Sequence, residues 1–289
     1  MGEEALMRRL EAKGEPHARR LVRWALSGLK AKRRQRLAAA AAKMRLSLVV
    51  EEKDVIWSLD ATHLGKREEG GKLMSQVLVD VQDGSVLAAS LGPPPRAEDA
   101  LGLLEEARRL RGGLPLVLSI DNGYATRALE RYAEKAGVIL LVNLPQTPQH
   151  NCWVERAIRS LKDGLRELLD LKALRGERGV GLRELVLAMR SSVLGLNERA
   201  RVRGRARGAG ERANDRDGTS SELYDRELRR QLAGRLAARL MKIPTERCSV
   251  RRQRLLGRFA TFETLLEAGL VSLTRGGRAW EGVRWEELA

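Results

Sequence analysis

Aromatic residues are scarce: Phe, Trp and Tyr together make 3% of the 289 residues. A core so poor in rings must rest on Leu, Val, Ile and Ala. Cysteine is nearly absent too. Cys152 and Cys248 are the two in the sequence, too few for a disulfide framework or a four-thiolate zinc site. The three histidines, His17, His63 and His150, add little metal-binding capacity. There is no apolar run of the roughly 18 residues that a spanning helix needs, so no transmembrane segment is expected. The charged N-terminus lacks an apolar h-region, so no signal peptide is expected either. The excess lies in positive charge: 54 Lys and Arg against 38 Asp and Glu, a net charge of +16 and a pI near 10.6. Such a balance favours a polyanionic partner, nucleic acid ahead of an anionic membrane surface. The composition predicts a soluble, cytoplasmic and nucleoid-associated protein.

Periodicity divides the chain. Residues 1–50 read as a helical basic segment: EALMRRLEAK, a break at Gly14-Glu15-Pro16, then a stretch from His17 to about Met44 that contains KAKRRQR. No recognition helix stands out, so this segment reads as basic helices docked on the core, with cations able to track phosphates. From Val55 the period changes to that of strands. VIWSLDATHLG, LMSQVLVDVQD and SVLAASLG predict an antiparallel meander, with a hairpin turn at Asp83-Gly84. AEDALGLLEEARRLRG is helical, LPLVLSID a short buried strand, GYATRALERYAEKAG a helix stopped at Gly137, and VILLVNLP another buried strand. The order β-β-β-α-β-α-β-α predicts an α/β mixed sheet with helices on its faces. A long helix follows within 145–169 and another over 182–200. Residues 201–218 read as an Arg/Gly-rich basic linker: the stretch 199–216 holds seven Arg against Glu211 and Asp215. A helix over 219–242, capped by Thr219 or Ser220, opens a helical C-terminal appendage that runs to 289.

The chemistry lies in three acids. Asp60 closes the apolar run VIWSLD and Asp121 closes LVLSID, and ligands bind at strand ends in such sheets. Glu155 stands about one turn inside the 145–169 helix. Asn151, Glu155, Arg159 and Lys162 fall on one polar stripe of that helix. Any one of these acids reads more simply as a capping or surface carboxylate. Two aspartates on neighbouring strands with a helical glutamate would repel one another unless divalent metal neutralised them. All-oxygen ligation points to Mg²⁺, with Mn²⁺ as a substitute. Two ions can clamp both oxygens of an in-line phosphoryl displacement, with Asp60 bridging both and Asp121 and Glu155 each completing one.

The segments W-S-L-D-A-T (57–62), S-I-D-N-G (119–123) and P-Q-H-N-C-W-V-E-R-A-I-R-S-L-K (148–162) resemble the DDE integrase/transposase catalytic core. Asp121 and Glu155 stand 34 positions apart, close to the separation in that family. The resemblance covers about residues 50–200, so 51–200 is taken as the core. It implies a ribonuclease-H-like mixed five-stranded sheet flanked by helices. It also implies DNA strand cleavage and 3′-hydroxyl strand transfer with two Mg²⁺. Asp60, Asp121 and Glu155 then become catalytic metal ligands. Thr62, Asn122 and Gly123 become supporting positions, and Asn151, Arg156 and Lys162 lie near DNA, with Lys162 aimed at phosphates. Arg159 from the stripe and Arg201, Arg203, Arg205 and Arg207 from the arm complete the expected DNA contacts. His63 reads as structural, with a contact to the scissile phosphate as its alternative; His150 is balanced in the same way.

Two departures from the family stand out. The usual Asn-Gly is here Asn151-Cys152, which removes glycine's freedom at the start of the helix. The helix-turn-helix module that often precedes the core is not recognisable in the first 50 residues. End recognition then falls to a separate DNA-recognition subunit or to the basic arm and tail. Element ends and target DNA are the implied partners, and a dimer or tetramer on DNA the implied assembly. The same carboxylates suit a ribonuclease-H-like nuclease that cuts without joining. A retired, DNA-binding core would have no reason to keep three mutually repelling acids.

Overall fold

The computed structural model describes residues 7–8, 12–13, 22, 27, 46–66, 71–144, 151–169, 181–206, 224–243, 249–275 and 278–279. The chain divides into two compact units, residues 1–48 with 273–283 and residues 49–272 with 284–289. The larger unit carries a five-stranded sheet in the order β4-β3-β2-β5-β6. Its strands are β2 (Ile56–Lys66), β3 (Lys72–Asp80), β4 (Val86–Gly92), β5 (Val117–Ile120) and β6 (Ile139–Val142). The β2–β3 and β3–β4 pairs are antiparallel, while β2–β5 and β5–β6 are parallel. This is the ribonuclease-H-like α/β architecture, with the antiparallel meander and the two parallel strands expected from the sequence; β5 is buried throughout, whereas β6, at the sheet edge, is mostly half-buried rather than buried as expected. The β3–β4 connection needs Gly84 at φ 75°, the left-handed conformation of a tight hairpin turn.

Helices cover both faces. Side chains alternate along a strand, so Trp57, Leu59 and Ala61 of β2 join Leu118 and Ile120 of β5 on one face. Helices α1 (Ala97–Arg111) and α2 (Arg127–Ala136) close that layer through Leu103, Leu104, Leu129 and Ala133. Both stop at left-handed glycines, Gly112 and Gly137. On the other face lie α3 (Cys152–Leu168) and α4 (Leu182–Ala206). Val154, Ala157, Ile158, Leu161 and Leu165 form the buried stripe of α3, against Val77 and Val79 of the sheet and Leu185 and Met189 of α4. Gly164 admits the close approach of α4: a Cβ there would meet Ser192 Oγ at 2.9 Å.

A helical hairpin follows, α5 (Arg226–Leu240) and α6 (Val250–Glu267). Arg239 of α5 joins Glu263 and Glu267 of α6. Arg229 ties α5 down by donating to the carbonyls of Leu114 and Pro115, just before β5, at 2.6 and 2.8 Å. A separate three-stranded sheet joins β1 (Leu46–Val50), β7 (Val271–Arg275) and β8 (Arg278–Ala279) in the order β1-β7-β8.

Four other expectations are corrected. Leu46–Val50 is a strand, not the end of a helical segment, because Leu-Ser-Leu-Val-Val suits a pleated surface. Helix α4 runs to Ala206, into the stretch read as a linker, since arginine is a good helix former; residues 207–223 lie outside the described residues. The cap of α5 is Asp225, whose side chain accepts from Leu228 N, rather than Thr219 or Ser220. The C-terminal appendage is not wholly helical, for it contains the strands β7 and β8. Most of the 1–45 helical reading lies outside the described residues.

Candidate active site

The alternation that buries Trp57 and Leu59 against α1 turns Ser58, Asp60 and Thr62 toward α3. Asp60 is not at the end of its own strand. It stands where the parallel neighbour stops, one step past the last β2–β5 pair, Leu59 with Ile120. The next residue of the β5 chain is Asp121. The two aspartates therefore occupy equivalent places on adjacent strands, on the face where Glu155 enters in the first turn of α3. Asp60 is half-buried and Asp121 is exposed.

Asp121 and Glu155 both lie close enough for their charges to act on the Asp60 carboxyl. Burial, and then the charges of Asp121 and Glu155, push the Asp60 carboxyl up from 3.8 to about 6, against the lowering effect of the Ala61 N–H. Ala61 N donates to Asp60 Oδ1 at 2.7 Å. Asn151 Nδ2 donates to Asp60 Oδ2 at 2.8 Å. Among the described residues no three potential ligands stand together as a ready-made metal cage. The donor set nevertheless fits a hard divalent ion: it is all oxygen, anionic and self-repelling, and each Asp60 oxygen accepts one hydrogen bond with capacity to spare.

A cleft of about 340 Å³ opens beside these acids, lined by Asp60, Thr62 and Glu155 and by the cations Arg159, Lys162 and Arg166. The polar stripe read from the sequence is thus real from Glu155 onward, and it extends one turn further to Arg166. Burial, followed by the charge of Arg166, lowers the pKa of the Lys162 ammonium.

Other expected site residues fall in different surroundings. Asn151, grouped with the DNA contacts, is buried and serves Asp60. Arg156 is exposed outside the cleft lining. Arg201 is exposed and paired with Glu198 at 2.9 Å. Arg203 and Arg205 lie in the last turns of α4, while Arg207 and His150 lie outside the described residues. His63 is exposed at the β-bulge of β2. Asn122 and Gly123 form a short 3₁₀ turn directly after Asp121. Cys152 begins α3, and among the described residues Asp54 is the one non-glycine with positive φ, so the start of α3 does not need the glycine that the family pattern has.

Sequence reading missed the polar floor beneath α3. Asn143, one residue past β6, is buried and donates to Asn151 Oδ1 at 3.2 Å. It ends the run VILLVN just as Asp60 and Asp121 end theirs, and that parallel was the available signal. The C-terminal hairpin was missed as well. Arg254 of α6 donates to Asn122 Oδ1 at 2.7 Å, and buried Arg258 donates to Asn143 Oδ1 at 2.6 Å. Burial pushes the Arg258 guanidinium down to about 10, still charged at neutral pH.

No protein-family model and no curated protein sequence matches the chain. Among solved structures, it is similar to a chain of the simian T-cell lymphotropic virus intasome in complex with PP2A regulatory subunit B56 gamma. That match has 24% identity and a TM-score of 0.40, over 50% of this chain and 49% of the other. The chain thus spans about half the length of that relative. It is also similar to the catalytic core domain of BIV integrase, at 25% identity and TM-score 0.34, over 47% of this chain and 81% of the other. The HTLV-2 integrase catalytic core domain in complex with magnesium matches at 21% identity and TM-score 0.37, over 48% and 82%. The solved neighbours are retroviral integrase structures, and the chain's own strand order, β4-β3-β2-β5-β6, is that of a ribonuclease-H-like fold.

Proposed function

We propose that the chain is a Mg²⁺-dependent DNA strand transferase of the integrase and transposase type, which cleaves DNA and joins a 3′-hydroxyl end to a target. One observation carries this reading: Asp60 and Asp121 stand one step past the last β2–β5 pair while Glu155 lines the same cleft as Asp60, and the charges of Asp121 and Glu155 add to the burial that raises Asp60 to about 6. Such repulsion is stable in a working site when the acids share divalent cations. In this reading the three acids hold two Mg²⁺, or Mn²⁺ in their place. Bound ions of this kind activate the attacking hydroxyl and neutralise charge at the phosphate.

The chain's own residues do the rest. The Ala61 N–H and the Asn151 amide hold the Asp60 carboxylate in one orientation. Arg159, Lys162 and Arg166, spaced along the cleft, bind phosphates of the substrate strand and keep it against the acids. The substrates are element ends and target DNA, acted on by a dimer or tetramer. The test uses labelled oligonucleotides with recessed 3′-hydroxyl ends and a target duplex in Mg²⁺. Cut and joined products are expected from the intact chain. Asp121→Asn should abolish both while leaving DNA affinity equal or higher. Cutting without joining would make the protein a nuclease, and unchanged cutting by Asp121→Asn would remove the site assignment.

A further inference from the structure

A buried arginine from the C-terminal hairpin is connected to Asp60 by two asparagine amides, and the polarity of every bond between them is set from the arginine end. Arg258 donates to Asn143 Oδ1 at 2.6 Å, and Ser119 Oγ donates to the same oxygen at 3.2 Å. A guanidinium has donors only, so the Asn143 oxygen must face it and the Asn143 nitrogen must face away. That nitrogen donates to Asn151 Oδ1 at 3.2 Å, joined there by Ser58 Oγ at 3.2 Å. With its oxygen so occupied, Asn151 has its nitrogen left for Asp60 Oδ2 at 2.8 Å. A flipped Asn151 would press a carbonyl oxygen on the carboxylate, two acceptors with no proton between them. A cation at one end and an anion at the other polarise the chain in the same sense.

We infer that Arg258 is a positioning residue of the acid site, acting through the Asn143–Asn151 amide pair to keep a donor on Asp60. The inference rests on the assignment of Asp60 to metal binding. It makes α6, which lies beyond the stretch that resembles the integrase core, a working part of the site. Burial of a charge is a poor way to gain stability, since an apolar side chain of like volume does as well or better. A donor-only group is what the relay requires, and the Phe262 ring, 5.3 Å from the guanidinium, helps hold it there.

Two variants separate positioning from packing. Arg258→Met removes the source of polarity. Asn143→Asp keeps the acceptor for Arg258 and Ser119 but removes the donor to Asn151, so it decides alone should Arg258→Met fail to fold. The first readout is the side-chain amide signal of Asn151 in the nitrogen–proton NMR spectrum of the metal-free full chain. It is expected to be slowly exchanging in the native protein and to lose that protection in both variants. The second is Mn²⁺ affinity by calorimetry, expected to fall roughly 10–100-fold, as for other residues that orient metal ligands. Arg258→Lys, also donor-only, should keep the Asn151 signal and recover most of the affinity. An unchanged Asn151 signal in folded Asn143→Asp would overturn the relay. Unchanged Mn²⁺ affinity in Asp60→Asn, with the Asn151 signal moving as expected in the other two variants, would instead overturn the metal assignment of Asp60.

Discussion

Replacing Asp60 by asparagine should stabilise the metal-free protein near pH 8. Burial and the neighbouring acids place the Asp60 carboxyl at about 6 in the fold, against 3.8 in the unfolded chain. The folded chain therefore holds a proton that the unfolded chain has already released between these values, and stability falls as pH rises through that window. At about 1.4 kcal/mol per pH unit, the gap sets a penalty of at most about 3 kcal/mol above pH 6. Solvent reaching the half-buried carboxyl brings this toward about 2 kcal/mol. The introduced amide can still accept from Asn151, but it turns its NH₂ toward the Ala61 N–H. Losing that bond costs about 1 kcal/mol. The expected net effect of Asp60→Asn is a gain of about 1–2 kcal/mol near pH 8 and a loss of about 1 kcal/mol below pH 4. Urea denaturation in EDTA at both pH values measures it. Asp54 and Asp80 titrate in both proteins, so the difference isolates Asp60. Added Mg²⁺ should stabilise the native chain more than the variant and shrink the gap. A variant less stable by the same amount at both pH values would refute the raised pKa of the Asp60 carboxyl.

Other expectations follow from single contacts. Arg111 lies 3.4 Å from Asp54 and 3.5 Å from Asp80, both buried, and burial with the charges of Asp54 and Asp83 pushes Asp80 up to about 7. Arg111→Met should cost about 3–5 kcal/mol near pH 8 and less near pH 5, where Asp80 takes a proton; equal losses at both would contradict the buried pair. Gly164→Ala should lower stability by about 1–3 kcal/mol, because the added methyl meets Ser192 at 2.9 Å, and this outweighs the roughly 1 kcal/mol that alanine gains in a helix. A raised melting temperature would show that α3 and α4 part easily. Arg159→Gln, Lys162→Gln and Arg166→Gln should each weaken DNA binding at all sequences and lower the salt slope by about 1; an unchanged slope would place the DNA elsewhere.

The meander and both parallel strands were legible because their patterns are strong: alternation in LMSQVLVD, unbroken apolar runs in LVLSI and VILLV, and Gly84, Gly112 and Gly137 where the chain must turn. The acids were legible because a carboxylate ending an apolar run is costly without a purpose. Their common face follows from period two once the β2–β5 register is known, but that register is a tertiary fact. Arg258 was not legible. In RRQRLLGRF it is one cation among several, and the contact that selects it spans 115 positions to Asn143. The helical continuation to Ala206 was hidden for a different reason. Alternating Arg and Gly looks like a solvated arm, whereas the preceding buried turns of α4 propagate the helix into it.

The most direct measurement of the central claim places Fe²⁺ in the protein with ascorbate and peroxide, and maps where hydroxyl radicals cut the backbone. If Asp60, Asp121 and Glu155 hold one set of ions, cuts fall near all three positions. Excess Mg²⁺ should suppress them together, and Asp121→Asn should weaken all of them. Cuts confined to one of the three, or clustered at Asp54 and Asp80 at the far end of β2 and β3, would contradict it.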